Sequence, residues 1–178
     1  MSSKHRTGMI THAGRSLLQE AARFSNEGKA VGEYVKNSWQ YTDHNAKVEI
    51  FIDQENKSIQ IKDDSNGMDL DTINKRFLVL HQENIERAKG KFGRGEFGTG
   101  KIAALGIGEI LRVRTVRNNK INKFEIRRSD CDAKVSEKEV KVHWIKKNEQ
   151  ISEKNGTIIE ILKFRQKRQI KTKNIKEF

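Results

Sequence analysis

Hydrophobic and polar residues follow two different spacings along this chain, and the changes in spacing divide it into predicted elements. Apolar residues recur every three to four positions where a helix is predicted and every second position where a strand is predicted. The predicted helices cover residues 16–24, 28–41 and 69–80, a further one begins at Ile102, and the predicted strands cover 47–53, 58–63, 109–117, 120–128, 138–146 and 156–161. Residues 54–57 and Asn118-Asn119 are predicted hairpin turns, with Asn56 best suited to a left-handed backbone.

The composition indicates one basic domain. The chain has 178 residues, enough for a single core, and 36 Lys and Arg against 24 Asp and Glu give a net charge of +12. This charge predicts an anionic partner such as a nucleotide, a nucleic acid or an acidic protein surface. The single Cys131 excludes an intramolecular disulfide, and neither a signal peptide nor a membrane-spanning apolar run is present, so we expect a cytoplasmic protein without a membrane partner.

A glycine-rich stretch, Gly93-Arg94-Gly95-Glu96-Phe97-Gly98-Thr99-Gly100-Lys101, precedes the helix predicted at Ile102. Glycine lets the backbone approach a ligand closely, and a helix N-terminus presents free N–H groups and a favourable dipole to an anion. The stretch therefore predicts a phosphate-binding loop, although a simple turn has the same composition. The long polar connection before it, residues 81–92, is either a lid or a surface loop without a role.

Polar side chains also occur on faces that the apolar pattern directs inward. Glu33 and Asn37 are four residues apart on the second predicted helix, so they lie on one face. Asp63 extends the inward row of Ile59 and Ile61 at the end of a strand. Buried polar groups need partners, which makes these residues candidates for a binding site. The alternatives are a solvated glutamate, a capping asparagine and an aspartate that only begins the next turn.

The order of these motifs is that of a known superfamily. They are Glu33-x-x-x-Asn37, Asp63-x-x-x-Gly67-Met68, Gly95-x-x-Gly98-x-Gly100 and Gly156-Thr157. Over about residues 30 to 162 the chain resembles the GHKL ATPases, which include gyrase B, the ninety-kilodalton heat-shock chaperones, histidine kinases and MutL, and its motif style is similar to that of MutL and MORC proteins. The resemblance implies an α+β Bergerat fold, a two-layer sandwich in which helices cover one face of a mixed, mostly antiparallel sheet.

The resemblance also implies roles for individual residues. Glu33 is expected to be the catalytic general base toward the water that attacks the γ-phosphate, and Asn37 is expected to bind Mg²⁺. Asp63 is expected to accept a hydrogen bond from the adenine amino group, and Thr157 to help hold Asp63 and a water at the base. Gly67 and Met68 are expected to shape the wall beside adenine. The cofactor-binding residues expected in the loop are Gly93, Arg94, Gly95, Phe97, Gly98, Thr99, Gly100 and Lys101.

We therefore expect a domain that binds Mg-ATP under a glycine-rich lid and hydrolyses it, coupled to dimerisation or conformational switching of a larger protein. ATP and ADP are the expected ligands, with an ATP-dependent homodimer as the expected assembly. The expected domain covers residues 15–162, preceded by a flexible segment at 1–14. Residues 163–178 are strongly basic and either bind nucleic acid or phospholipid or lead as a solvated linker to a further domain.

Two residues depart from the pattern of the superfamily. Gln40 stands where relatives often have an aspartate, and Ser65 replaces a usual glycine, which we expect to stiffen the turn after Asp63. Gyrase and MutL relatives also draw a catalytic lysine from a second domain, so the ATPase is expected to be weak when it is isolated.

Three other interpretations remain open. The sequence from Gly95 to Lys101 fits the P-loop pattern, but Ile102 occupies the position where a Ser or Thr hydroxyl binds Mg²⁺. A histidine-kinase domain transfers phosphate to histidine and needs no water-activating glutamate. A slow ATP-dependent dimerisation module could use the basic surface to bind nucleic acid.

Overall fold

A computed structural model describes residues 8–10, 17–24, 26–40, 42, 45–80, 99–131 and 139–165 of the chain. Its helices are α1 Leu17–Ala21, α2 Glu27–Gln40, α3 Leu70–Thr72 and α4 Ala104–Ile107, with a π-helical turn at Ile73–Phe77 and 3-10 turns at Ala22–Phe24, Gly100–Ile102 and Arg128–Asp130. Its strands are β1 Gly8–Ile10, β2 Val48–Asp53, β3 Ser58–Asp63, β4 Ile110–Arg117, β5 Lys120–Arg127, β6 Glu139–Lys141, β7 His143–Gln150 and β8 Gly156–Leu162.

Six of these strands form one sheet in the order β2-β3-β8-β4-β5-β7, and each neighbouring pair is antiparallel. Strands β1 and β6 form a separate antiparallel pair. The predicted α+β class and the antiparallel character of the sheet are confirmed. Because β3 and β8 are antiparallel neighbours, the last residue of β3, Asp63, lies opposite Thr157 at the start of β8.

The core lies between one face of the sheet and the helices. Strand alternation directs Ile59, Ile61, Leu111, Val113, Phe124 and Ile126 to this face, and each is at most 1% exposed. Helices α1, α2 and α4 cover them with Leu17, Ala30, Val31, Tyr34 and Leu105. Each fully buried large apolar side chain contributes about 1.5–3 kcal/mol, so this layer holds the helices firmly against the sheet.

Helix α2 begins at Glu27, directly after Asn26 and one residue before its predicted start. The Asn26 carbonyl accepts a hydrogen bond from the Ala30 N–H, and its side chain accepts one from the Lys29 N–H at 3.3 Å. The buried face of the helix carries Ala30, Val31, Tyr34, Val35 and Ser38. The inward direction predicted for this stripe therefore agrees with the structure.

Several predicted elements differ in the structure. The helix predicted over 69–80 becomes α3 and a π-helical turn that ends at Phe77, because Leu78 to Leu80 leave the helix and pack into the core. The strand predicted over 138–146 is divided into β6 and β7. In the first hairpin the left-handed residue is Lys57 (φ 49°), because Asn56 instead bonds its N–H and amide to Asp53. Strand β1 was not predicted.

Within the described ranges, no helix is both long enough and apolar enough to cross a lipid bilayer.

Candidate functional site

Helix α2 connects the two halves of the candidate site. One end of its inward face meets the carboxyl end of β3 through Ser38, and the other meets the exit of the glycine-rich stretch through Glu33. Five residues of an α-helix rise by about 7.5 Å, which is the separation of these two contacts along the helix axis. Asn37 lies between them, next to Ser38 and one turn after Glu33, and is partly exposed.

The Asp63 carboxylate is the most heavily hydrogen-bonded group of the site. Its Oδ1 accepts from the Ser65 N–H at 3.0 Å, the Ser65 hydroxyl at 2.5 Å and the Thr157 N–H at 3.0 Å. Its Oδ2 accepts from the Ser38 hydroxyl at 2.6 Å. A carboxylate offers about two acceptor positions on each oxygen, so Oδ1 is fully used and Oδ2 retains one position. The carboxylate is therefore fixed in place and can still accept one donor.

Ser65 does not strain the turn after Asp63. Its backbone φ is not positive, since the described non-glycine residues with positive φ are Lys57, Asn118, Asn119, Asn148 and Lys163. The glycine usual in related sequences is thus not required here, and the serine adds a hydroxyl that bonds Asp63.

Glycines on either side of this turn allow close contact between backbone segments. Gly67 has φ 66°, and a Cβ there would lie 2.0 Å from the Val116 carbonyl oxygen. Gly156 has φ 153°, and a Cβ there would lie 2.4 Å from the Asp63 carbonyl oxygen. Only glycine fits both positions without movement of the backbone, so the wall beside Asp63 depends on these two residues.

Thr115 on β4 is hydrogen-bonded to the segment that forms this wall. It is fully buried, and its hydroxyl accepts a hydrogen bond from the Met68 N–H at 2.8 Å. The same hydroxyl lies 3.1 Å from the Thr157 hydroxyl, its neighbour across the β4–β8 pair. Met68, Thr157 and Asp63 are therefore connected through one hydrogen-bonded group.

The Glu33 carboxylate lies at the other end of the face. Its Oε1 is 2.9 Å from the Lys36 ammonium, and its side chain is 23% exposed. Its Oε2 faces Gly100, where an added Cβ would lie 2.5 Å away. The long Lys36 side chain reaches back one turn to make this contact. Glu33 is thus placed against the backbone of the loop exit while still in contact with solvent.

The loop exit is attached to α2 by Tyr34. The phenol donates to the Lys101 carbonyl at 3.1 Å and accepts from the Ala104 N–H at 3.0 Å. Tyr34 is 3% exposed, and burial raises the pKa of its phenol well above the ordinary value. The phenol is therefore a neutral donor and acceptor over the physiological range.

The Lys101 side chain makes a different contact from the expected one. Its ammonium donates to the carbonyls of Arg76 and, at 2.6 Å, Val79, close to the end of the π-helical turn. Burial lowers the pKa of Lys101 from 10.5 to about 8. A phosphate contact by Lys101 stays a prediction, and these carbonyls already use two of the three N–H donors of its ammonium.

Of the other residues predicted to bind the nucleotide in the loop, Thr99 and Gly100 are among the described residues. Thr99 is buried, and its carbonyl accepts from the Ile102 N–H in the 3-10 turn that follows. Gly93, Arg94, Gly95, Phe97 and Gly98 lie outside the described residues, as does the lid predicted over 81–92. The structure thus brings Asp63, Gly67, Met68 and Thr157 together at one end and Glu33 and Gly100 at the other.

Sequence reasoning missed four residues as parts of the site. Ser38 and Tyr34 share the face of Glu33 and Asn37, so helical spacing could have indicated both. Thr115 was missed because its partner Met68 comes from a distant segment of the chain. Ser65 was judged only by its departure from glycine.

The donor set fits a metal that arrives with a phosphate ligand rather than one held by protein alone. Among the described residues, no three or more His, Cys, Asp or Glu side chains cluster in a way that could hold a metal ion. Mg²⁺ prefers oxygen ligands and retains several waters, usually binding one or two protein groups together with substrate phosphates. The partly exposed Asn37 amide, one turn from Glu33, can supply such a single ligand.

Comparison with known protein families agrees with this geometry. The family model described as histidine kinase-, DNA gyrase B- and HSP90-like ATPase matches residues 25–171, which is most of the chain. No significant match was found among curated proteins. The matched region includes both ends of the α2 face and the strands that support them.

Proposed function

Because the chain belongs to the family of histidine kinase-, DNA gyrase B- and HSP90-like ATPases, we propose that it binds Mg-ATP along the inward face of α2 and hydrolyses it. The supporting observation is that this single helix face contacts Asp63 through Ser38 and the loop exit through Glu33. One extended ligand with a base at one end and phosphates at the other fits such an arrangement.

The adenine base of ATP lies at Asp63. The free acceptor position on Oδ2 receives one hydrogen of the adenine amino group, a charge-assisted bond that contributes about 1.5–3 kcal/mol. The donors already on the carboxylate hold it in one orientation, so little order is lost when adenine binds. Gly67 and Met68 form the wall beside the ring, and the Thr157 hydroxyl lies next to it.

Glu33 acts on the attacking water at the phosphate end. A general base must be ionised and within hydrogen-bond reach of the proton that it accepts. Lys36 occupies Oε1, so Oε2, on the side of Gly100, is the oxygen available to the water. The backbone from Thr99 to Gly100 borders the phosphates there.

Asn37 supplies the amide oxygen for Mg²⁺. The ion, when bound, neutralises charge on the phosphates and so favours attack on the γ-phosphate. The amide reaches the ion from the same face that carries Glu33, which places base and metal ligand on neighbouring turns.

Replacement of Glu33 by Ala separates binding from chemistry. We expect the Kd for Mg-ATP to change less than about threefold and phosphate release to fall about 10²- to 10⁴-fold, the usual contribution of a general base. Calorimetry measures the first quantity and a phosphate-release assay the second. Glu55→Ala, in the exposed hairpin turn, is the control and should retain both properties. Unchanged turnover in Glu33→Ala would falsify the assignment of Glu33 as the general base.

Replacement of Asp63 by Asn tests the end of the site where adenine is proposed to bind. The amide turns one of the acceptor oxygens into a donor and leaves the serine and threonine donors without full partners, so we expect ATP affinity to fall about 10- to 100-fold. The exposed Asp71→Asn is the matched control. If Asp63→Asn binds ATP normally while Lys101→Ala abolishes binding, a P-loop is the better description.

The coupled activities remain predictions. Incubation with labelled ATP and candidate partners distinguishes the alternatives, because a stable phosphohistidine would identify a phosphotransferase instead of a hydrolase. An ATP-dependent homodimer, further domains and nucleic-acid binding through the net charge of +12 likewise await solution measurements.

A further inference from the structure

Tyr34 occupies a special position between the two groups that the proposed reaction brings together. It follows Glu33 directly on α2, and it lies under the segment that leaves the glycine-rich stretch. Its ring is buried in the core with 3% exposure, while its hydroxyl reaches the backbone of another element. A buried tyrosine hydroxyl needs a hydrogen-bond partner, and here it has two.

Both partners are backbone groups of the same short segment. The hydroxyl donates to the Lys101 carbonyl at 3.1 Å and accepts from the Ala104 N–H at 3.0 Å. A single phenol therefore spans the 3-10 turn Gly100–Ile102 and the first residue of α4. The hydrogen count is complete, because the one proton goes to the carbonyl and one lone pair receives the N–H.

These bonds fix the position of Gly100 relative to Glu33. Gly100 precedes Lys101, and its Cα lies so close to Glu33 that an added Cβ would be 2.5 Å from Oε2. The Tyr34 backbone moves with Glu33 because both belong to one helical turn. A shift of the loop-exit backbone away from α2 therefore stretches the phenol bonds as it moves Gly100 away from the Glu33 turn.

We propose that Tyr34 is a positioning residue that sets the distance between Glu33 and the phosphate-binding backbone. It touches neither ATP nor the attacking water, and it acts through the loop exit. This inference rests on the proposed function, since it assumes that Glu33 is the catalytic general base. It adds a determinant of turnover that is separate from the adenine-binding end at Asp63.

The test is Tyr34→Phe, which removes only the hydroxyl and retains the ring in the core. A displacement of reacting groups by about 1 Å can reduce a rate up to 100-fold, so we expect kcat to fall about tenfold. The Kd for Mg-ATP should change less than about threefold, because the base end keeps all its hydrogen bonds. Phosphate release at saturating ATP gives kcat, and calorimetry gives Kd.

Ile126→Val is the control for a purely structural effect. Ile126 is fully buried on β5, and loss of one methylene there lowers the stability of the fold without removing any hydrogen bond. We expect the kcat of Ile126→Val to equal that of the wild type at a temperature well below the melting transitions of both variants. An equal fall of kcat in both variants, or an unchanged kcat in Tyr34→Phe, would overturn the proposal.

The combination with Gly100→Ala is a second, independent readout. Because both changes disturb the contact between Glu33 and the loop exit, their effects on kcat should be less than additive. Full additivity would contradict a shared contact. If Tyr34→Phe does not fold, amide exchange of Ala104 in the wild type decides: fast exchange would exclude the bond to Tyr34, and protection that increases with a bound ATP analogue is the expected result.

The outcomes also separate this inference from the proposed function. If wild-type protein shows no ATP turnover that depends on Glu33, the proposed function itself fails. If that turnover exists and Tyr34→Phe retains it in full, only the role of Tyr34 is rejected.

Discussion

The two ends of the α2 face are built in different ways. At the base end the Asp63 carboxylate accepts four donors from three segments of the chain, and Thr115 ties the Met68 backbone to the same group of strands. At the phosphate end the Glu33 carboxylate pairs with Lys36 on its own helix and faces the backbone of Gly100. Under the proposed function, adenine recognition would therefore depend on the sheet, whereas hydrolysis would depend on the position of the loop exit.

This difference has a physical basis in the secondary-structure elements that carry the partners. The base end uses residues on adjacent antiparallel strands, which are held at a spacing of about 4.8 Å by their ladder hydrogen bonds. The phosphate end instead joins a helix to a short 3-10 turn, and the Tyr34 hydroxyl bonds the Lys101 carbonyl of that turn. We therefore expect substitutions at the base end to change stability and affinity, and those at the phosphate end to change turnover.

Gly67→Ala should give the largest effect on stability. The added methyl would lie 2.0 Å from the Val116 carbonyl oxygen, and the residue would keep a left-handed φ of 66°. Left-handed backbone alone costs about 1–2 kcal/mol for a residue with a Cβ, and the clash adds to it, so we expect a loss of about 3 kcal/mol or more in the free energy of unfolding. Urea denaturation measures this loss. A change below about 0.5 kcal/mol would show that the wall is not rigid.

Gly100→Ala should give the opposite pattern. Its methyl meets the flexible end of the Glu33 side chain, which can rotate away, so stability should change by less than about 1 kcal/mol. The displaced carboxylate is then misaligned, and we expect kcat to fall about 10- to 100-fold with little change in ATP affinity. Steady-state kinetics and a thermal melt on the same preparation test both parts. A stability loss equal to that of Gly67→Ala would remove the distinction between the two ends.

A smaller effect is expected from the pH dependence of Lys101. Its pKa is lowered from 10.5 to about 8, so between these values the unfolded chain binds more protons than the folded one. Stability should therefore rise with pH across this window relative to Lys101→Met, and the penalty is fully present below pH 8. The full shift corresponds to a gain of about 3 kcal/mol, and the bonds to two carbonyls, which stabilise the charged ammonium, should reduce it to about 1–2 kcal/mol. A flat or falling difference would mean that these bonds outweigh burial.

Much of the fold could be predicted because its signals are local. Alternation placed β2, β3, β4, β5 and β8 nearly at their observed bounds, and both residues of the Asn118-Asn119 turn have the positive φ that such a turn requires. The motif order indicated the family that the family model shows. These features depend on neighbours in sequence, which a single chain reveals.

The features that sequence reasoning missed depend on partners far apart in the chain. Spacing cannot show that the Lys101 ammonium bonds the Val79 carbonyl, that Tyr34 reaches Ala104, or that Thr115 receives the Met68 N–H. The end of the helix at Phe77 was missed for the same reason, since burial of Leu78 and Leu80 overrides their helical spacing. Apolar periodicity identifies an inward face but not what that face contacts.

The central claim is that one nucleotide lies along α2 with its base at Asp63 and its phosphates beside Glu33. A crystal structure with a non-hydrolysable ATP analogue and Mg²⁺ tests it most directly. The account predicts an adenine amino nitrogen about 3 Å from Asp63 Oδ2 and a γ-phosphate bordered by Gly100, with the Asn37 amide on the metal. A bound analogue whose base lies away from Asp63, or whose phosphates lie away from the Glu33 turn, would contradict it.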